Sequence, residues 1–196
     1  MYKKQMAFQK IVCLLALVAS AVVFVYSLGL MTDLFDSLYE TMWNPSDHTQ
    51  TDVPGSIIYY DMQGFNALLL RIGIGLILLG VLLYITNTHS RRKYYVGNYV
   101  SSIVYMAAGL AAAVWAHIQL QAFRAQFLQV DFEAMKEYAE LWDTPYIDST
   151  FWFDIHYAVF GLVLAACVTL GVNLIWKKRV MNEEKALIEA GKDAAK

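Results

Sequence analysis

The sequence predicts an all-α membrane protein: a bundle of four transmembrane helices with two further amphipathic helices outside the membrane. Three observations support this fold class. Only 16% of the 196 residues are charged, whereas soluble domains carry roughly 25%. Four apolar segments reach the roughly 20 residues that a helix needs to cross a bilayer. The basic side chains, in addition, are concentrated in alternate segments between these spans.

The four spans lack the continuous polar face that a surface helix of a soluble domain shows. They cover residues 11–30, 65–85, 100–120 and 153–176. The first run follows three lysines and contains Ala19-Ser20-Ala21, which is the pattern of a cleaved signal peptide. Because this apolar run continues to Leu30 and reaches spanning length, we interpret it as an uncleaved anchor.

Basic residues predict the orientation of the bundle. Of the 15 lysines and arginines, all but Arg71, Arg124 and Lys136 lie in residues 1–10, in the link after the second span, or after Trp176. The positive-inside rule then places both termini in the cytoplasm, an N-in/C-in topology. We expect a multi-pass protein of the plasma (inner) membrane of a bacterium-like cell. The opposite segments, 31–64 and 121–152, are rich in acidic residues, which predicts an acidic outer surface.

Each outer segment is expected to contain an amphipathic helix, because apolar residues recur there at helical spacing. A proline, Pro45 in the first segment and Pro145 in the second, ends each pattern. The aromatic side chains of these helices form a predicted interaction surface, which consists of Phe35, Tyr39, Trp43, Tyr138 and Trp142.

The two halves of the chain share a pattern that suggests a tandem repeat of a two-span unit. Tyr39-x-x-x-Trp43 corresponds to Tyr138-x-x-x-Trp142, and Asp61 and Asp154 each follow an aromatic pair before the next span. Coincidence is the alternative, since aromatic residues are common at membrane interfaces. A repeat would divide the chain into units 1–97 and 98–180, followed by a cytoplasmic tail, 181–196.

Arg71 lies in one of the most apolar stretches, GFNALLLRIGIG. An arginine in hydrocarbon costs at least about 2.5 kcal/mol, so its side chain requires water or a partner. Snorkelling toward the outer interface is one solution, because side chains lean toward the helix N-terminus. The alternative is a position inside the bundle. Arg71 shares its face with Gly64, Ala67 and Gly75, and small residues mark helix contacts in membranes.

A position inside the bundle predicts a polar cluster of Arg71, Asp154 and His117 near the outer surface. Asp154 lies just inside the outer end of the fourth span, and Asp61 is the alternative carboxylate. His117 lies at a similar depth on the third span. Such a cluster either fixes the packing of the helices through a charge-assisted pair or binds a ligand.

His117 and His156 fall at matched depth on two spans, which makes them candidate haem ligands. The bulky neighbours of His156 and the shortage of further histidines argue against haem, so we expect no cofactor. The sequence shows neither the ligand spacing of a zinc site nor a DxDxDG calcium loop, so no metal is expected. Cys13 and Cys167 lie within spans, where a free cysteine acts as a small apolar side chain.

Signatures of catalysis are missing: the sequence contains no GxSxG, HExxH or phosphate-binding glycine loop. We therefore expect neither an enzyme nor a catalytic residue. The net charge of −2 gives no general affinity for nucleic acid. These observations favour a non-enzymatic accessory or assembly subunit of a larger membrane complex, most readily a transporter complex. The alternatives are a module that binds lipid, quinone or haem near the outer leaflet, and a small oligomeric channel.

Overall fold

A computed structural model describes residues 2–34, 53–88, 95–143 and 145–193. Every regular element within them is helical, as the sequence predicts. The helices are α1 (Tyr2–Gly29), α2 (Ile58–Thr88), α3 (Tyr95–Phe127), α4 (Phe132–Trp142) and α5 (Phe151–Asp193). A short π-helical segment, Leu30–Leu34, continues α1.

Helices α1, α2, α3 and α5 are long and apolar enough to cross a membrane, and their most apolar stretches have mean hydropathies of 1.6–2.7. This confirms the four predicted spans and indicates a multi-pass membrane protein. Which membrane holds the chain, and on which side its termini lie, stay predictions.

The long helices extend well beyond the predicted spans. Helix α2 begins at Ile58 rather than near residue 65, and the 43 residues of α5 reach Asp193. At 1.5 Å per residue α5 is about 64 Å long, about twice the thickness of the hydrocarbon core. Apolar composition marks only the part of a helix that lies in lipid, so the polar turns beyond it were not included in the predicted spans.

The four long helices form a ring in which α1 and α3 each contact both α2 and α5. Glycine permits the close approach of α1 and α2. A Cβ atom added at Gly73 would lie 3.0 Å from the Cα of Phe24, and one added at Gly80 would lie 3.3 Å from the Cα of Leu17. Because Gly73 and Gly80 are seven residues apart, they lie on one face of α2, and we call this contact the Gly73–Gly80 seam.

Helix α4 begins and ends with specific caps at one end of the bundle, which we call the α4 end. The Asp131 carboxylate accepts a hydrogen bond from the N–H of Ala134 (3.0 Å), and the Asp131 N–H donates to the carbonyl of Pro54 (3.0 Å). The helix stops where Asp143 adopts a left-handed backbone, with φ of 51°. Its buried Met135 joins the core of the bundle.

The predicted second amphipathic helix is thus present as α4, whereas the beginning of the second outer segment, residues 121–127, belongs to α3. Of the predicted interaction surface, Tyr138 is half-buried and Trp142 is 64% exposed. Phe35, Tyr39 and Trp43 lie outside the described residues. The tandem repeat and the division at residues 97 and 180 stay predictions.

At the opposite end of the bundle the beginning of α1 lies beside the middle of α5. The Nε2 of Gln5 donates a hydrogen bond to the Oδ1 of Asn173 (3.0 Å), and the rings of Phe8 and Trp176 are 5.6 Å apart between centroids. We call this the Gln5 end.

Candidate functional site

Arg71 lies on the exposed face of α2, and no described residue forms a hydrogen bond or an ion pair with it. This differs from the alternative that places Arg71 inside the bundle, and the other alternative, snorkelling toward the outer interface, stays a prediction. Helix α2 contacts α1 through the Gly73–Gly80 seam. Arg71 is two positions before Gly73 and therefore lies about 160° around the helix axis from Gly73. The predicted stripe of Gly64, Ala67 and Gly75 therefore faces outward together with Arg71.

Asp154, the predicted partner of Arg71, pairs instead with Arg124. The Nε of Arg124 lies 3.2 Å from the Oδ1 of Asp154, and the two side chains are 36% and 49% exposed. The hydroxyl of Thr150 donates to the other carboxylate oxygen at 2.6 Å. Arg124 was not predicted as a partner because the third span was predicted to end at residue 120, whereas α3 continues to Phe127.

His117 and His156, the two predicted candidate ligands, contact each other. The Nδ1 of His117 lies 3.0 Å from the Nε2 of His156, and the rings stack with centroids 5.3 Å apart. His156 is buried while His117 is exposed. Glycine on α3 supports this approach, because an added Cβ at Gly109 would meet the side chains of Val163 and Cys167 at 3.1 and 3.3 Å.

Hydrogen-bond partners assign the tautomers that the two rings adopt when both are uncharged. The Nδ1 of His156 faces the carbonyl of Phe153 and therefore donates to it. The Nε2 of His156 then accepts from the Nδ1–H of His117. The remaining ring nitrogen, Nε2 of the exposed His117, is then a hydrogen-bond acceptor.

These contacts join into one polar strip between α3 and α5, near the α4 end. The Nε2 of Gln121 donates to the hydroxyl of Tyr157 at 2.9 Å, between the histidine pair and the ion pair. We call this strip the α3–α5 seam, and its members are His117, Gln121 and Arg124 on α3 and Asp154, His156 and Tyr157 on α5. Residues 117, 121 and 124 follow helical i, i+4, i+7 spacing, and this spacing is the sequence signal that groups Arg124 with His117.

The geometry of the histidine pair is that of a hydrogen bond. Two nitrogen atoms that bind one zinc ion tetrahedrally at 2.0–2.1 Å are about 3.4 Å apart, and opposite ligands of a metal are further apart still. The described residues contain no group of three or more histidine, cysteine or acidic side chains arranged to hold a metal. The 3.0 Å separation of the two ring nitrogen atoms is therefore that of a direct hydrogen bond.

Comparison with known proteins leaves the chain without a family. No protein-family model, curated protein or solved structure matches it. A proposal for its function therefore depends on the chemistry of its own side chains.

A second polar group, which the sequence analysis missed, lies inside the bundle at the Gln5 end. Gln5, Gln9, Asn87 and Asn173 are all 1% exposed or less, and we call them the amide cluster. Gln5 bonds Asn173 and Gln9, and the Nε2 of Gln9 donates to the backbone carbonyl of Asn87. The available signal was the spacing of Gln5 and Gln9, which places two amides on one helix face.

Proposed function

We propose that the protein is a non-enzymatic accessory subunit of a larger membrane complex, with a transporter complex as its setting. The observation that carries this proposal is the exposed cation of Arg71, which has no partner among the described residues. It lies on the outer face of a helix that is long and apolar enough to cross a membrane.

The surroundings of Arg71 are apolar. It is six residues, or about 9 Å, along α2 from Phe65, where the apolar run begins. Leu68 and Ile74, one turn away on either side, are 43% and 45% exposed. At the centre of a bilayer an arginine costs at least about 2.5 kcal/mol, and the cost falls toward the interface. A carboxylate presented by a neighbouring transmembrane helix would offset this cost through a charge-assisted pair.

The same face leaves room for such a helix. A Cβ atom added at Gly64 or Gly75 would meet nothing within 4 Å. Beside Gly75 an apolar groove of 460 Å³ runs between α2 and α3, lined among others by Leu68, Ala111 and Trp115. Small residues beside a groove allow the backbone of a second helix to approach closely.

Charge favours a different protein over a second copy as the occupant of this face. In a twofold-symmetric dimer about α2, each Arg71 would approach the other copy's Arg71, and like charges repel in apolar surroundings. The nearest acidic residue of α2, Asp61, is ten residues or about 15 Å away along the helix. The partner we propose is therefore a transmembrane helix of another protein that carries Asp or Glu at the depth of Arg71.

Features outside the apolar part of the bundle support a setting with components on both sides of the membrane. At the α4 end, Leu141 and Trp142 are 75% and 64% exposed. At the other end α5 projects well beyond any span and carries exposed charged residues. Transporter complexes combine membrane subunits with subunits on either side of the membrane. This protein has a possible contact surface at each end of the bundle and a third on the membrane-facing side of α2.

Purification in mild detergent followed by mass spectrometry tests the proposal. Wild-type protein and Arg71→Lys should retain a companion membrane protein that Arg71→Leu loses. Lys136→Leu is the matched control, because it removes an exposed charge of α4. The companion must carry a carboxylate in a transmembrane helix. Replacing this carboxylate by an amide should lower recovery of the complex as much as Arg71→Leu does, and combining the two substitutions should cause no further loss. A companion that Arg71→Leu retains, or wild-type protein without one, would contradict the proposal.

The α3–α5 seam favours a second candidate, a module that binds a lipid or quinol hydroxyl at the free Nε2 of His117. Organic extraction of purified protein should then recover a quinone or lipid that His117→Leu loses and that the control Ile118→Leu keeps. Equal recovery from both variants would exclude this candidate, and an absorbance peak in the Soret region would instead indicate haem.

A further inference from the structure

The amide cluster continues into a connected polar interior at the Gln5 end that involves all four long helices. From Asn173 on α5 the hydrogen bonds pass through Gln5 and Gln9 of α1 to Asn87 of α2. Next to Asn87, the hydroxyl of Thr86 lies 2.9 Å from that of Ser101 on α3. A buried polar network of this extent requires every member to find a partner, because an unmet polar atom is costly in apolar surroundings.

Several polar atoms in this interior have no such partner. The Nδ2 of Asn173, the Oδ1 of Asn87 and the hydroxyl of Ser102 are buried and form no hydrogen bond. Ser102 lies one turn before Tyr105 on α3, and the hydroxyl of Tyr105 lies 2.9 Å from that of Ser20 on α1. Because a buried polar group without a hydrogen bond destabilises the folded protein, a polar occupant of this region would stabilise the fold.

Lys177 adds a positive charge to this region. It lies one turn after Asn173 on α5 and is only 9% exposed. No described residue forms an ion pair with it. The sequence explains why: residues 2–20, 70–88, 95–120 and 160–182 contain no aspartate or glutamate.

We infer that this polar interior binds a phosphate-type oxyanion at the Gln5 end. The ammonium of Lys177 supplies the opposite charge, and the Asn173 amide and the Ser102 hydroxyl donate hydrogen bonds to the anion oxygens. The Oδ1 of Asn87 accepts from a P–OH group or from a water molecule beside it. The same chemistry is carried by free inorganic phosphate and by the headgroup of an anionic phospholipid, and the exposed Lys3 and Lys4 at this end attract either one.

The experiment uses the full chain, purified and stripped of lipid in an uncharged detergent, and measures its melting temperature. Inorganic phosphate is titrated against sodium chloride of equal ionic strength, and phosphatidylglycerol is titrated in mixed micelles against phosphatidylcholine. A rise of the melting temperature with phosphate identifies a free anion, and a rise with phosphatidylglycerol alone identifies a lipid headgroup. Either supports the site. If neither probe exceeds its control, only water occupies the interior and the proposal is overturned.

Substitution at one lysine locates the effect. Lys177→Met removes the buried charge and should weaken binding of the active probe by about tenfold or more, since a hydrogen bond to a charged group contributes about 1.5–3 kcal/mol. Lys178→Met removes the exposed neighbouring charge and should leave binding unchanged, and Lys177→Arg should retain most of it. Equal binding by Lys177→Met and wild type would overturn the assignment. If Lys177→Met fails to fold, the two titrations of the wild-type protein and the binding measured for Lys177→Arg still decide whether the site exists.

Discussion

Alanine substitutions at two glycines of α2 test whether α1 and α2 pack through the Gly73–Gly80 seam. At Gly73 the new methyl group would lie 3.0 Å from the Cα of Phe24, whereas at Gly75 it would meet nothing within 4 Å. The first contact is about 0.5–1 Å shorter than the optimal separation of carbon atoms, and overpacking of this kind costs about 1–3 kcal/mol. Both substitutions share the gain in helix propensity, about 1 kcal/mol. We therefore expect Gly73→Ala to be less stable than Gly75→Ala by about 1–3 kcal/mol.

The protein's own cysteines report this difference. Cys13 and Cys167 are free and buried, at 0% and 5% exposure, so a thiol-reactive fluorophore labels them only when the bundle opens. In a heating experiment in mild detergent, Gly73→Ala should melt below Gly75→Ala by about 2–4 °C for each kcal/mol. Gly80→Ala, whose new methyl would lie 3.3 Å from the Cα of Leu17, should fall between them. If the melting temperature of Gly75→Ala is equal to or lower than that of Gly73→Ala, α1 and α2 do not pack through the Gly73–Gly80 seam.

Two further predictions use the same melting assay. Arg124→Gln and Asp154→Asn should couple by about 0.2–1 kcal/mol in a double-mutant cycle, as expected for a partly exposed ion pair. A stronger coupling between substitutions at Asp154 and Arg71 would contradict the observed pairing. Tyr26→Phe should cost about 1 kcal/mol, because the hydroxyl donates to the Trp152 carbonyl at 2.8 Å; an unchanged melting temperature would show that this bond contributes nothing.

The existence of the four spans was predictable because burial in lipid requires long apolar runs, and such runs are visible in the sequence. The ends of the helices were not, since a helix continues through polar turns once it leaves the membrane. This error had a consequence at Arg124. Because the third span was ended at residue 120, Arg124 was left out of the cluster in which it now pairs with Asp154.

The orientation of α2 about its axis could not be predicted from the pattern of small residues. One stripe contains Gly64, Ala67 and Gly75 beside Arg71, and another contains Gly73 and Gly80. In a helix that is apolar on all sides, hydrophobicity does not select between two such faces. The choice depends on how the side chains of α1 fit between the glycines, and one sequence does not show that fit.

The amide cluster was missed for a different reason. Gln5 and Asn173 are 168 positions apart, and each reads in isolation as a polar residue near the end of a span. Neutral amides carry no charge that would indicate a partner. His117 and His156, in contrast, were predicted to lie at the same depth, and the structure places them in contact.

Photo-crosslinking in intact membranes tests the proposed partner most directly. A benzoylphenylalanine at Ile74, 45% exposed and one turn from Arg71, should form a covalent adduct with one specific other membrane protein. The same residue at Ile175, which is 73% exposed on α5, should form none with that protein. Adducts with lipid alone at Ile74, or the same protein captured from both positions, would contradict a helix partner at the Arg71 face.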